Sequence, residues 1–330
     1  MGVLGCSRHY ALRVATPLGS SLLIEPYAVA SRDAAKAKQY AKTWHFPVSY
    51  GSYEALLADP NVDFVYIPLP NHLHLEYILK AADAGKPILC EKPLCLNAKE
   101  AVKAAEYCEK KKVPLMEAFM YRFHPQWVRA AEIVKAGELG TVLATSGIFA
   151  YTNKDGENIR NKADYGGGAL LDIGCYTVST SRMLMGGEPK RVAASLLRDP
   201  VFKTDILSSA ILDYGDGRSS TFTVSTQMFS HQRVTAYGTA GNLSVEVPFN
   251  MFADVPGKLT VITGIAKREV ETESIDQYLL LFEAFAQAII EKDQAAQVPT
   301  PVSDAVANMA VLDAVFAAAA SGKWEKVAKV

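Results

Sequence analysis

The chain has few cysteines and no excess of charge of either sign, and both shortages exclude classes of protein. Its five cysteines are odd in number and contain no C-x-x-C pair, which argues against a disulfide framework and against a zinc knuckle. We therefore expect no metal site, and a reduced, cytoplasmic setting fits best. The 34 Lys and Arg residues nearly balance the 35 Asp and Glu residues, so no strong field exists to attract nucleic acid.

Long hydrophobic runs are also missing. We find no apolar run that approaches the roughly 20 residues needed to cross a bilayer, and no signal-peptide pattern at the N-terminus. These observations predict a small-molecule ligand and no nucleic-acid or membrane partner.

Up to about residue 120, short apolar runs alternate with helical stretches, which is typical of βαβ units and a parallel sheet. The apolar runs are Val3–Leu4, Tyr27–Ala30, Val62–Ile67, Pro87–Cys90 and Pro114–Met116, and the helical stretches include Asp33–Trp44 and Leu73–Ala84. Asp33 and Asn97 are expected to be N-caps. Gly2–Gly5 resembles the end of a buried strand whose beginning is missing, so we expect the first strand to be clipped.

From Gly140 onward the pattern changes to alternating, β-branched segments separated by turn signals such as Asp216-Gly217. Two helical stretches, Gln277–Glu291 and Ser303–Ser321, close the chain. At 330 residues, two domains sharing one cleft are expected. The predicted fold class is α/β, with a Rossmann-type parallel sheet over residues 1–120 and an α/β domain with a large, open, mostly antiparallel sheet over 121–330.

The first strand is followed by Gly5-Cys6-Ser7-Arg8-His9-Tyr10, where a dinucleotide-binding loop reads G-x-G-x-x-G or G-x-G-x-x-A. Gly5 matches the first glycine. Ser7 is small enough to let backbone N–H groups approach a pyrophosphate, but Tyr10 occupies the close-packing position. An ordinary strand-to-helix turn is the alternative interpretation.

Ser31-Arg32-Asp33 stands at the end of the second strand, where such a fold reads the adenine ribose. A hydroxyl beside a guanidinium suits the 2′-phosphate of NADP, whereas a carboxylate suits the ribose of NAD. The order favours NADP, although Asp33 leaves NAD use open. Alternatively, Ser31 and Asp33 only cap the next helix and Arg32 lies in solvent.

Four further strings occur in a characteristic order. They are Pro68–His74 (P-L-P-N-H-L-H), Glu91–Pro93 (E-K-P), Glu117–Pro125 (E-A-F-M-Y-R-F-H-P) and Gly166–Tyr176 (G-G-G-A-L-L-D-I-G-C-Y). Over essentially its whole length, the chain resembles the glucose-fructose oxidoreductase, inositol dehydrogenase and rhizopine catabolism family. Many members carry His where this chain has Tyr176, and the tyrosine form is similar to the glucose-fructose oxidoreductase and dihydrodiol dehydrogenase branch.

The resemblance implies roles for these residues. Lys92 would bond the reacting oxygen and exchange a proton as hydride moves, Tyr176 would donate or accept the hydroxyl proton, and Asp172 would orient a hydroxyl or the lysine. Asp172 and Tyr176 are four residues apart, so on a helix they would share one face. The expected cofactor contacts are Gly5, Ser7, Arg8, Ser31, Arg32, Pro68, Asn71, His74, Glu91, Lys92 and Arg160.

Tyr121 and Arg122 resemble substrate-pocket residues, and Arg160 could contact substrate instead of cofactor. The glycine run Gly166–Gly168 would let the backbone approach cofactor or sugar closely. Structural roles are the alternatives: strand termination for the prolines, a satisfied helix residue for His74 and a half-buried aromatic for Tyr176.

Three functions are consistent with these features. The first is an NADP-dependent dehydrogenase or reductase acting on a cyclic sugar, polyol or dihydrodiol. The second is a sugar–sugar oxidoreductase with permanently bound NADP, and the third is a non-catalytic, NADP-binding regulatory protein. In this family the open face of the second sheet typically packs against another copy, so a homodimer or higher homo-oligomer is expected.

Overall fold

The computed structural model describes residues 1–291 and 298–330, and these residues form two compact units. The first unit comprises residues 1–120, 278–291 and 298–306, and the second comprises residues 121–277 and 307–330. Each unit contains one sheet.

The first unit is built on a six-stranded sheet in the order β3-β2-β1-β4-β5-β6. Every neighbouring pair in it is parallel. The strands are β1 (Gly2–Leu4), β2 (Ala28–Ala30), β3 (Val48–Tyr50), β4 (Val65–Ile67), β5 (Ile88–Glu91) and β6 (Leu115–Ala118). All the carboxyl ends therefore lie along one edge of the sheet, where ligands collect in open parallel sheets.

The second unit is built on a nine-stranded sheet in the order β14-β13-β12-β11-β7-β10-β9-β8-β15. Among the described strands of this second sheet, only β7 and β10 form a parallel pair. The strands are β7 (Val142–Thr152), β8 (Arg191–Arg198), β9 (Asp205–Asp213), β10 (Ser219–Ser225), β11 (Gln227–Gly238), β12 (Gly241–Val245), β13 (Gly257–Thr263), β14 (Ala266–Thr272) and β15 (Glu325–Lys326). The predicted α/β class with one parallel and one mostly antiparallel sheet is confirmed.

The helices are α1 (Ala15–Leu18), α2 (Ala34–Trp44), α3 (Tyr53–Leu57), α4 (His74–Asp83), α5 (Ala98–Lys111), α6 (Pro125–Lys135), α7 (Cys175–Met185), α8 (Gln277–Ile290) and α9 (Val302–Ser321). Asp33 and Asn97 cap α2 and α5 as predicted, because their side chains accept the backbone N–H groups of Lys36 and Glu100. Two π-helical turns, Tyr10–Val14 and Leu170–Gly174, directly precede α1 and α7.

The two faces of the second sheet differ in exposure. Leu212, Phe222 and Val234 are buried on the face where Thr145 of β7 hydrogen-bonds Ser181 of α7. Ile211 and Leu197, on the opposite face, are 44% and 56% exposed. The sheet therefore has one core-facing side and one accessible side.

Helix α8 corrects the sequence-based division of the chain. The sequence predicts that its residues belong to the second domain with the rest of 121–330, whereas the described residues of 278–306 cluster with the first unit. Phe282 and Phe285 pack edge-on against Tyr66 and Phe64, with ring centroids 4.9 and 5.5 Å apart. Helix α8 packs through aromatic side chains against a sheet that is distant in sequence, so the sequence pattern did not show that it belongs to the first unit.

Helix α9 corrects the statement that no apolar run is long enough to cross a bilayer. The helix has 20 residues, and an 18-residue window within it has a mean hydropathy of 1.5, so length and composition alone would permit a span. Met309, Leu312 and Val315 are fully buried within the protein. This burial is typical of the core helix of a globular domain.

Candidate functional site

The loop after β1 has the backbone features of an anion-binding turn. Gly5 has a φ of +115°, and a Cβ at this position would lie 2.9 Å from Leu69 Cδ2, so a glycine is required. The helical segment that continues through the π-helical turn into α1 begins at Arg8. The Ser7 hydroxyl accepts the backbone N–H groups of His9 and Tyr10 at 3.1 and 3.4 Å. A glycine turn running into a helix N-terminus presents N–H groups to an anion.

Tyr10, which replaces the third glycine of the usual loop, is 1% exposed. Its ring packs against Phe46 with the centroids 5.3 Å apart, and against Tyr40 and Tyr66 at 6.4 Å. The helix adopts its wider π-helical form from Tyr10 to Val14. The large side chain is therefore accommodated by entering the core.

At the end of β2, Ser31 is buried, and its hydroxyl accepts the backbone N–H of Asp33 at 3.2 Å. The Asp33 carboxylate accepts the N–H of Lys36 at 3.0 Å, which commits it to the start of α2. Arg32 is exposed. Asp33 therefore caps α2, Ser31 supports the turn that precedes the cap, and Arg32 is exposed.

The turn after β4 contains Pro68 and Asn71, which are half-buried, and leads through a 3₁₀ turn into α4. His74, the first residue of α4, is fully buried. Its ring nitrogens lie 2.9 Å from the Pro93 carbonyl oxygen and 2.8 Å from that of Leu69. Burial lowers the pKa of His74, and a neutral imidazole has one N–H, so it donates to one of these carbonyls at a time.

His74 thus ties the turn after β4 to the turn after β5. Both of its nitrogens face backbone carbonyls, so the structure gives it a positioning role. Its predicted contact with cofactor stays a prediction.

The turn after β5 is organised around Glu91, which is 9% exposed. Its Oε1 accepts the Tyr66 hydroxyl at 2.6 Å and lies 3.3 Å from His9 Nε2, and its Oε2 accepts the Lys92 backbone N–H at 3.3 Å. Burial of the carboxyl opposes ionisation, but His9, Lys92 and Tyr66 outweigh it and lower the pKa of Glu91 to about 2. Glu91 is therefore a fixed carboxylate.

Glu117 of β6 supports the same turn from the other side, since its Oε1 accepts the Leu94 N–H at 2.7 Å. Lys92 is half-buried between these supported residues. Sequence reasoning quoted Glu117 only as part of a string and gave no role to His9 or Tyr66. The signal in the sequence was weak: these residues lie in strands, or directly after a loop, that neighbour the turn after β5.

In the second unit, Asp172 is the centre of a polar cluster. It is 8% exposed, and its Oδ2 accepts the Tyr151 hydroxyl at 2.6 Å and the Arg160 Nε–H at 2.9 Å. The charge of Asp172 raises the pKa of Arg160, and burial together with that charge raises the pKa of Tyr151. Tyr151, at the end of β7, was not predicted.

Tyr176 lies in the first turn of α7 and is 5% exposed. Its ring packs against Phe249, Phe149 and Tyr121, with centroid distances of 5.1, 5.7 and 5.9 Å. Tyr176 also raises the pKa of Arg160, after the larger effect of Asp172. Asp172 and Tyr176 therefore have a shared neighbour, although Asp172 belongs to a π-helical turn instead of the expected α-helix.

Tyr121 and Arg122 both reach α7. The Tyr121 hydroxyl lies 2.8 Å from Ser179 Oγ, and Arg122 Nη2 donates to the same oxygen at 2.7 Å. Arg160, which was expected to contact cofactor or substrate, contacts Asp172 as described above. The structure thus assigns all three side chains to contacts within the second unit.

In the glycine run Gly166–Gly168, the atoms that closely approach Gly167 and Gly168 belong to the protein itself. A Cβ at Gly168, whose φ is +119°, would collide with Asp205 Oδ1. Asp205 Oδ2 accepts the Leu170 N–H at 2.7 Å and the Ser208 hydroxyl at 2.8 Å. Gly168 therefore allows a buried carboxylate to support the start of the π-helical turn that carries Asp172.

Comparison with known proteins agrees with both halves of this description. Residues 1–119 match the oxidoreductase family with an NAD-binding Rossmann fold, and residues 127–244 match the GFO/IDH/MocA C-terminal domain. D-xylose 1-dehydrogenase (NADP(+)) 2 of Haloferax volcanii is 39% identical over 299 residues, which is 90% of both chains. The chain belongs to the Gfo/Idh/MocA oxidoreductase family.

Two other relatives are similar to this chain in sequence or in structure. Trans-1,2-dihydrobenzene-1,2-diol dehydrogenase of Xenopus tropicalis is 34% identical over 230 residues, 68% of each chain. The crystal structure of a 3-ketoreductase from Actinomadura kijaniata, in complex with NADP and TDP-benzene, superposes with a TM-score of 0.89 at 29% identity and covers 96% of both chains. The predicted family is confirmed.

Within residues 1–291 and 298–330, no group of three or more His, Cys, Asp or Glu side chains is placed to hold a metal ion.

Proposed function

We propose that this member of the family is an NADP-dependent oxidoreductase that transfers hydride between the nicotinamide and a hydroxyl or carbonyl of a cyclic sugar, polyol or dihydrodiol. The xylose dehydrogenase relative is named for NADP, and the ketoreductase relative was crystallised with it. The observation that carries the proposal is the turn after β5. Tyr66, His74 and Glu117 hold it by hydrogen bonds on both sides of Lys92.

The phosphate half of the cofactor fits the first unit. Gly5 leaves no room for a side chain, and Ser7 keeps the helix N-terminus beginning at Arg8 in place, so the dinucleotide phosphates would bind at this loop. Asp33 is committed to capping α2. The accessible Arg32 beside Ser31 would therefore contact a 2′-phosphate, which favours NADP over NAD.

NADP, when bound, supplies or accepts the hydride. Pro68, Asn71, Glu91 and Lys92 would line the nicotinamide end. Lys92 would hydrogen-bond the reacting oxygen. Its ammonium form would donate the proton when a carbonyl is reduced, and its neutral amine form would accept the proton when a hydroxyl is oxidised.

Roles for the second unit follow from its polar cluster. One proton moves with each hydride, and Tyr176 is the second candidate, beside Lys92, for donating or accepting it. Asp172, which is held by Arg160 and Tyr151, would orient a substrate hydroxyl. Tyr121 and Arg122 remain candidate substrate contacts, and Arg160 acts through Asp172.

The same reasoning assigns the broader properties. Residues 1–120 form the NADP-binding part, and residues from 121 onward provide substrate binding and oligomerisation, with α8 returning to the first unit. We expect the protein to be cytoplasmic. We also expect a homodimer or higher homo-oligomer, because Leu197 and Ile211 leave an apolar area on the accessible face of the second sheet.

The test is the near-ultraviolet absorbance of NADPH during incubation with D-xylose, other pyranoses, inositols and dihydrodiols, in both directions and with NAD as comparison. Turnover with NADP that exceeds turnover with NAD supports the proposal, and Arg32→Ala should reduce this preference. Binding of NADPH without turnover on any compound would favour the regulatory protein instead. NADP retained through purification would favour the sugar–sugar oxidoreductase.

A further inference from the structure

One histidine connects the two ends of the proposed cofactor site within the first unit. We propose that His9 is a positioning residue that couples dinucleotide binding at the loop after β1 to the turn that carries Lys92. The inference rests on the proposed function and names a coupling within that same site.

The direction of the His9 ring is fixed from two sides. Its backbone N–H donates to Ser7 Oγ at 3.1 Å, which places the residue in the first turn of the helix at the anion-binding loop. Its ring packs edge-on against Tyr278 of α8, with centroids 5.4 Å apart. A dinucleotide that orders this loop would therefore also order the imidazole.

The imidazole faces Glu91, and Glu91 faces Lys92. Glu91 Oε1 receives the Tyr66 hydroxyl and lies 3.3 Å from His9 Nε2, while Oε2 receives the backbone N–H of Lys92. Both carboxylate oxygens are thus occupied, and the carboxylate plane is defined by contacts on either side. Removal of the His9 contact would leave Oε1 held by Tyr66 alone and would loosen the support of the Lys92 backbone.

His9 has one link to each end of this site. The groups that contact its ring are the carboxylate of Glu91 from β5 and the phenol ring of Tyr278 from α8. Dinucleotide phosphates would bind at the helix turn that carries the His9 backbone, while the His9 ring supports the carboxylate that holds the Lys92 backbone. Loss of the His9 contact should therefore weaken NADPH binding and slow hydride transfer together.

Titration calorimetry with NADPH tests this directly. The titration gives the NADPH affinity, and steady-state kinetics at saturating NADPH with the best substrate of the panel gives kcat. His9→Phe keeps the packing against Tyr278 but has no N–H, so it should bind NADPH about fivefold more weakly than wild type and have a lower kcat. His9→Gln has an amide N–H that can donate to Glu91 and should recover part of both losses.

The matched control is His45→Asn, which removes an exposed histidine of the same unit at a left-handed position that asparagine tolerates. Its NADPH affinity and kcat should equal those of wild type. A His9→Phe variant that matches His45→Asn in both values would overturn the coupling while leaving the proposed function intact. Wild-type protein that binds no NADPH would overturn both.

Discussion

Two carboxylates, Glu91 and Asp172, have the same kind of environment in different units. Each accepts a tyrosine hydroxyl at 2.6 Å, from Tyr66 and Tyr151 respectively, and each lies beside a nitrogen of a basic side chain. Such charge-assisted contacts hold a carboxylate in its ionised form despite burial. Glu91, whose pKa is lowered to about 2, is therefore not suited to donating a proton near neutral pH.

For Glu91 this predicts a specific acid response. Its pKa falls from 4.5 to about 2 in the folded protein, so its ionised form stabilises the fold above about pH 4.5 and this contribution is lost as the pH falls toward 2. In urea unfolding across that interval, Glu91→Gln should show a shallower loss of unfolding free energy than wild type. The exposed Glu106→Gln should follow wild type, and an unchanged slope for Glu91→Gln would contradict the assignment.

For Asp172 the expected effect is on catalysis. Asp172→Asn removes the charge that Arg160 and Tyr151 contact, so kcat/KM should fall about a hundredfold or more while NADPH affinity stays within about threefold. Steady-state kinetics with the best substrate of the panel, together with NADPH titration, measures both. Asp164→Asn, an exposed carboxyl in the same segment, is the control. Equal kcat/KM for the two variants would rule out the role.

Much of this residue-scale description could be predicted from the sequence, and its limits have a physical cause. Lys92, Asp172 and Tyr176 stand in recognisable strings, so the sequence could propose roles for them, and those roles stay predictions. His9, Tyr66 and Tyr151 could not, because their partners lie 82, 25 and 21 residues away and no local pattern records such contacts. The role of His74 was expected at the cofactor, whereas both its nitrogens face backbone carbonyls.

Among the elements, long periodic segments were predicted closely and short or irregular ones were not. Predicted helices at Asp33–Trp44 and Leu73–Ala84 correspond to α2 and α4 within a residue at each end. Strand β3 was missed because its three residues are only half-buried and lack a strong apolar signal. The π-helical turns at Tyr10–Val14 and Leu170–Gly174 depend on packing and have no sequence period of their own.

The start of the segment that carries Asp172 gives an element-scale prediction. Gly168→Ala forces a Cβ against Asp205 at a φ of +119°, so the unfolding free energy should fall by about 2 to 4 kcal/mol. Gly187→Ala, with open space around the new Cβ and no positive φ, should change it by less than about 0.5 kcal/mol. Denaturant unfolding of both variants makes the comparison, and similar losses would contradict the close-approach argument.

For the whole molecule, the division into units was predicted at residue 120 but not the return of α8, because the aromatic contacts of Phe282 and Phe285 join positions more than 200 residues apart. Sequence patterns report which face of a helix is apolar. They do not report which sheet receives it.

The proposed oligomer is a property of the same scale. If the accessible face of the second sheet is the interface, Ile211→Lys, at a residue that is 44% exposed in the single chain, should convert the oligomer to monomer. Sedimentation velocity gives the mass in solution. Ile265→Lys, at the fully exposed β13–β14 turn, should leave it unchanged. A wild-type monomer, or an oligomer insensitive to Ile211→Lys, would contradict this interface.

The central claim is that the ammonium group of Lys92 handles the proton during NADP-dependent hydride transfer, and paired lysine variants test it most directly. Lys92→Ala should lower kcat by about a thousandfold or more while its NADPH affinity stays within about fivefold of wild type, and Lys99→Ala, an exposed lysine on α5, should match wild type in both. Turnover by Lys92→Ala that equals that of Lys99→Ala would contradict the account.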